Sequence, residues 1–318
     1  MKGRVFLAIA ALILAATGAR AETLNVAKGG PQSFSFSPVD IAVNQGFLQK
    51  RGLEVKLSNF DGAAKVHQAI ASGDIDIALA SGPDMAFIVK GSPATSVAAM
   101  AGRPTMMALV VGADSPIKSA ADLKGKIISV TSTGSLTDWL AHELSRQQGW
   151  GPDGVEVRAM GGQTTQIAAL RTHQSDAMVM DLTAAYRLEG EGQGHVLLNF
   201  GDIVPSFHMH VIHASNTILA KNPDAVRRFL AAWFEAIAFM NANKAETVRE
   251  TAKVMGASEE LAERTYDKVM PVLSTNGCFD KAALEVLRRS YVEIGLLDSP
   301  PDMSKLYTEK YLPAPCPR

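Results

Sequence analysis

Four short stretches concentrate hydroxyls and glycines where a strand should hand over to a helix: Gly29–Phe36, Ser81–Asp84, Thr131–Ser135 and Asp181–Thr183. A helix N-terminus offers unpaired N–H groups and a partial positive charge, and both suit an anionic group. In the first stretch Gln32, Ser33, Phe34 and Ser35 combine hydroxyls with an aromatic face. In the second, Ser81 can donate to a ligand oxygen while Gly82 lets the backbone approach closely. The third, Thr131, Ser132, Thr133, Gly134 and Ser135, has the composition of an oxyanion cradle. No Lys-Ser/Thr pair follows it, which separates it from a nucleotide-binding loop. Asp181 in the fourth either caps its own helix or faces the ligand, and then favours a ligand carrying an amine. The hydroxyls of the other loops have a plain capping role open to them as well.

Two further candidates lie outside these loops. Arg103 can grip a sulfonate or carboxylate through two N–H groups, or serve only in a surface ion pair. His208 is placed near the junction of two halves as a hydrogen-bonding partner. It shares a strand face with His210, but no third metal ligand is evident, so no metal and no cofactor are expected. Neither a Gly-x-Ser-x-Gly elbow nor a His-Glu-x-x-His pair occurs. A Ser/His/Asp triad leaves no local signature. The expectation of a binding protein rather than an enzyme rests on the lack of any local catalytic constellation, together with an export signal.

These loops need a scaffold that brings them together. Short β-branched runs alternate with longer helical periods, the pattern of an α/β protein with mostly parallel sheets. Strands are predicted at Thr23–Ala27, Leu53–Leu57, Met106–Val111, Ile127–Val130 and His208–His213. Ser37, Pro38 and Asp40 read as the cap and first turn of a helix that Gly52 ends. Behind Asn222, Pro223 and Asp224, the residues Val226, Phe229, Leu230, Trp233 and Ile237 recur at helical spacing. The most telling feature is an internal echo: Ile70–Ser81 aligns with Leu170–Asp181 at an offset of 100. Each copy is a helix end, a polar turn with an Asp, an apolar run and a final polar residue. Two lobes built to one plan follow, with Ser81 and Asp181 at equivalent strand ends. Ligands of open parallel sheets sit outside such carboxyl ends, so the loops should converge on a cleft. The lobes are expected at 22–111 plus 212–318 and at 112–211.

The chain opens with Lys2 and Arg4, an uncharged apolar run from Val5 to Gly18, and small residues at Ala19 and Ala21. This reads as a signal peptide, 1–21, with cleavage before Glu22; the run of about 14 residues is short for a bilayer span. Its removal takes the formal charge from −1 to about −4. A mildly acidic chain without a clustered basic face excludes nucleic acid as a partner. No Cys follows the cleavage point, so a monomer free in a periplasm is expected. Cys278 and Cys316 are the only two cysteines. In an oxidising compartment they pair and pin the C-terminal tail, the alternative being two free thiols.

Pro38–Val55 resembles the opening of the nitrate/sulfonate/taurine-type substrate-binding proteins. Asp74–Ala78, Ser115–Lys126 and Asn222–Asp224 are similar to further signatures of that family, in the same order. The resemblance covers nearly the whole mature chain. It implies a type II periplasmic-binding fold, a small-molecule ligand bound by hinged closure of two lobes, and delivery to an ABC permease with its ATPase. It also implies a ligand among sulfonates, taurine, nitrate or thiamine-precursor pyrimidines, with contacts at Thr131–Ser135. An aromatic acid also suits the hydroxyl-rich loops, and a ligand-sensing partner of a membrane receptor is the other role open to such a module. A related intracellular branch makes a thiamine pyrimidine through a Cys-rich motif that this chain lacks.

Overall fold

The structure, a computed structural model, describes residues 21–30, 33–60 and 62–317. The expected signal peptide, Ala21 apart, and the candidate Gln32 lie outside the described residues.

Ten strands form two five-stranded sheets. The first is built from β1 (Glu22–Lys28), β2 (Leu53–Asn59), β3 (Ile77–Ser81), β4 (Ala94–Ala101) and β10 (His210–Ser215), in the order β2-β1-β3-β10-β4. The second comprises β5 (Met107–Gly112), β6 (Ile127–Val130), β7 (Glu156–Ala159), β8 (Ala177–Asp181) and β9 (Gly194–Asn199), in the order β7-β6-β8-β5-β9. In each, four strands run in one direction and a single strand, β10 in the first sheet and β5 in the second, runs against them between the third strand and the edge. The central strands β3 and β8 are buried along their apolar runs because helices cover both faces of a parallel sheet. This is the α/β, two-lobed architecture expected.

The echo has a hydrogen-bonding cause. Asp76 Oδ2 accepts from the N–H of Asn25 at 2.9 Å, and Asp176 Oδ2 accepts from the N–H of Ile127 at 2.8 Å. Each carboxylate ties the turn before one central strand to its parallel neighbour, at equivalent places in the two sheets. The periodic helix is also as expected. In Pro223–Ala242 the five residues Val226, Phe229, Leu230, Trp233 and Ile237 are all buried.

Three expectations need correction. The strand at Met107–Gly112 belongs to the second sheet, pairing with β8 and β9, so the first passage between sheets lies before Met107 and not near Val111. Ser37 is not a cap, because a 3-10 turn at Phe34–Phe36 runs straight into the Ser37–Asn44 helix. The last strand starts at His210, which leaves His208 in the second passage between the sheets. That passage is tightly held. Phe207 stacks on Trp139 with ring centroids 4.4 Å apart, and a Cβ on Gly82 would stand 1.8 Å from the carbonyl oxygen of His208.

Cys278 and Cys316 form a disulfide with Cα atoms 5.7 Å apart. The tail it pins lies along β4, where Ser96 and Thr308 exchange backbone contacts and Leu306 accepts from Ser96 N–H. No helix among the described residues is long and apolar enough to cross a membrane.

Candidate functional site

The strand ends of the two sheets face a common cavity of about 450 Å³. Gly29, Gly30 and Ser33 enter it from the loop after β1, and Gly62 from the loop after β2. The second sheet supplies Thr131 and Ser132 after β6, Gly161, Gly162 and Gln163 after β7, and Asp181, Thr183 and Ala184 after β8. Arg187 and Met255 complete the wall. Three of the four loops singled out from sequence therefore meet at one place.

Backbone donors come from both sides. The Ala63–Ser72 helix starts behind Gly62 and the Gln163–Arg171 helix behind Gly162, and neither has a side-chain cap. A Cβ at either glycine would meet nothing within 4 Å. The Thr165 N–H donates to the Gly162 carbonyl at 3.1 Å, while the earlier N–H groups of both helices meet no acceptor among the described residues and are left for water or a ligand, with the helix dipoles adding positive potential. By contrast, Ser135 caps the Leu136–Gln147 helix and Asp181 caps the Leu182–Gly190 helix.

Among the described residues lining the cavity, Asp181 is the only carboxylate and Arg187 the only full cation. The Asp181 side chain accepts from the Thr183 N–H at 2.8 Å, and the Ser33 hydroxyl of the opposite lobe also favours its charged form. Burial outweighs these bonds and raises its pKa to about 6. Arg187 sits in the wall and reaches the carbonyls of Met255 and Gly256 at the end of the Lys244–Met255 helix, at 3.5 and 3.4 Å. The lobes also touch beside the cavity, where Arg264 stacks over the Tyr186 ring and pairs with Glu189.

Several candidates lie elsewhere. Phe34 is fully buried against Tyr266, ring edge to face, and Ser35 is buried with its hydroxyl 2.7 Å from Nδ1 of His210. The 3-10 turn directs both inward. Ser81 and Gly82 do not line the cavity, since Ser81 forms a capping box with Asp84 and Gly82 packs against the passage at His208. Thr133 and Gly134 lie outside the wall too, Gly134 facing Leu296 and donating its N–H to Asp138. Ser135 is spent on its cap and on the Thr131 and Thr137 hydroxyls. Arg103 and His208 share a different hollow.

Gly62, Gly161, Gly162, Gln163, Arg187 and Met255 were not anticipated. One signal was in reach. Carrying the offset of 100 eight residues upstream of Ile70 pairs Gly62 with Gly162, the two uncapped helix starts.

The NMT1/THI5-like family profile matches residues 33–247. A chain named as a binding protein from Brucella abortus strain 2308 is 30% identical, covering 99% of this chain and 100% of that one. Among solved structures, the alkanesulfonate-binding protein SsuA from Xanthomonas axonopodis pv. citri, bound to MOPS, superposes with a TM-score of 0.74 at 17% identity, covering 88% of this chain and 94% of that one. The desulfurization enzyme DSZB superposes with a TM-score of 0.64 at 17% identity, over 91% and 97% of the chains. At these identities the structural matches establish the periplasmic-binding-protein fold. An enzyme with the same fold means that the fold alone does not separate binding from catalysis.

Proposed function

We propose a solute-capturing role for this chain, which belongs to the NMT1/THI5-like family. In this reading it is the periplasmic binding component of an ABC importer, and its two lobes close on one small organic anion or zwitterion. The observation that carries the reading is the cavity walled by strand ends of both sheets. A ligand there touches both lobes at once, so binding favours the closed arrangement over the open one. Its volume of about 450 Å³ falls within the range of small-molecule sites.

The lining gives the guest a polarity. An anionic end is served by Arg187, the hydroxyls of Thr131 and Ser132, and the free N–H groups behind Gly62 and Gly162. An amine end is served by Asp181 and Ser33. Taurine has both ends, and MOPS pairs a sulfonate with a tertiary amine. An aminopyrimidine uses the Asp181 side alone.

The test is calorimetric titration of taurine, MOPS and an aminopyrimidine, with mass spectrometry of the recovered ligand. At least one should bind and return unchanged. If all three fail to bind, or one is consumed, the reading is wrong. For an amine-bearing ligand the affinity should fall about tenfold between pH 7.5 and pH 5, because an acid with a pKa of about 6 is mostly protonated at the lower pH. Asp181→Asn should lower the affinity at pH 7.5 and flatten this dependence; an unchanged pH profile in the variant would remove Asp181 from the site.

A further inference from the structure

Arg103 and His208 line a second hollow, of about 330 Å³, away from the cavity between the strand ends. Both passages of the chain between the sheets contribute to it: Gly102 and Arg103 from the first, Ser206, Phe207 and His208 from the second. The passages are joined there, because the Met209 N–H donates to the carbonyls of Ala101 and Gly102, both at 3.0 Å. Ser274 and Asp280 belong to a further wall.

The surroundings of His208 determine its tautomer. Its Nε2 lies 2.9 Å from the backbone nitrogen of Asp280. A backbone N–H can only donate, and this contact is shorter than the 3.3 Å from Nε2 to the Asp280 carbonyl oxygen, so Nε2 accepts and the proton of the neutral ring sits on Nδ1. Burial keeps the ring neutral at pH 7 by pulling its pKa down to about 4. The Nδ1–H is then a buried donor with no partner, on a residue only 3% exposed. An unpaired buried donor is destabilising, and an acceptor reaching it from the hollow relieves that cost. Arg103 is exposed and enters no ion pair among the described residues. Asp280 is the only other charged side chain in the wall among the described residues, and its Oδ1 is engaged by the N–H groups of Ala282 and Ala283.

We propose that this hollow is a second binding site, for a small free carboxylate or oxyanion, held by the Arg103 guanidinium and the Ser206 hydroxyl with the His208 Nδ1–H as the inner donor. Because both inter-sheet passages form its wall, occupancy is coupled to the angle between the sheets. By linkage it is coupled to any ligand that depends on that angle. The site stands whatever the other cavity binds.

The experiment titrates the mature, isotopically labelled protein with succinate at pH 7.5, against sodium chloride of equal ionic strength. The Arg103 Nε–H and His208 ring resonances are followed by NMR. Both should shift saturably with succinate and not with chloride. Arg103→Ala should weaken the response at least tenfold, with the His210 resonances reporting that the fold is retained. No saturable shift, a response equal to that of chloride, or one unchanged by Arg103→Ala overturns the proposal. So does a response abolished by Arg187→Ala instead, which would place the anion between the strand ends.

Discussion

Lowering the pH from 7.5 to 5 should cut the melting temperature by about 10 °C, an effect large for a protein with ordinary carboxylates. Four histidines, His67, His208, His210 and His213, are buried. Desolvation is the main cause that depresses each: to about 4 for His67 and His208, to about 3 for His210, and well below the ordinary value for His213. In the unfolded chain they titrate near 6.5, so between about pH 6.5 and 4 the unfolded state binds more protons and stability falls with falling pH. Asp84 and Asp181 act in the opposite sense. Burial raises both to about 6, so the native state takes up their protons first and gains stability between about pH 6 and 4. Four groups against two leaves a net difference of about two protons at pH 5, a slope of roughly 2.7 kcal/mol per pH unit. Scanning calorimetry across this range is the check. His67→Phe, which keeps a ring beside Phe87, should remove about half of the slope. A flat or rising melting temperature would contradict the burial of these rings.

The second large effect is that of the disulfide. Replacing Cys278 and Cys316 together by serine should cost about 4 kcal/mol on the chain-entropy account, given their sequence separation of 38. The segment held by the bond is part of the packing. Phe279 sits between His208 and Tyr307, and its N–H donates to Glu309 at 2.8 Å. Denaturant unfolding of the double variant should show the lower midpoint, while affinity at the cavity between the sheets is retained, since neither cysteine lines it. An unchanged midpoint would mean that the tail holds its place without the bond.

Much of this was legible in the sequence, for reasons that can be named. The echo at Ile70–Ser81 and Leu170–Asp181 survives because the same carboxylate-to-backbone bond must recur in each sheet, at Asp76 and Asp176. The loops at Ser33, Thr131–Ser132 and Asp181 were legible because strand ends in a parallel sheet leave helix starts pointing the same way. Phe34 and Ser35 were misjudged because a loop's composition does not say which side chains a 3-10 turn directs inward. Met107–Gly112 was placed in the wrong sheet because a short apolar run carries no mark of its partner strands. His208 was expected near the junction of the halves, and both it and Arg103 do lie in the passages between sheets, around a hollow apart from the cavity. Arg187 went unseen because it stands a full turn and more into its helix, away from any loop signal.

In the proposed function, the cavity between the two sets of strand ends is where a small molecule is captured. Gly162 has φ −67° and ψ 166°, a backbone any residue accepts, and space beyond it, so Gly162→Phe should fill the cavity without disturbing the fold. Calorimetric titration of the tightest binder among taurine, MOPS and the aminopyrimidine should show at least a hundredfold loss in this variant, at an unchanged melting temperature of the free protein. Equal affinity in the filled and native proteins would place capture elsewhere.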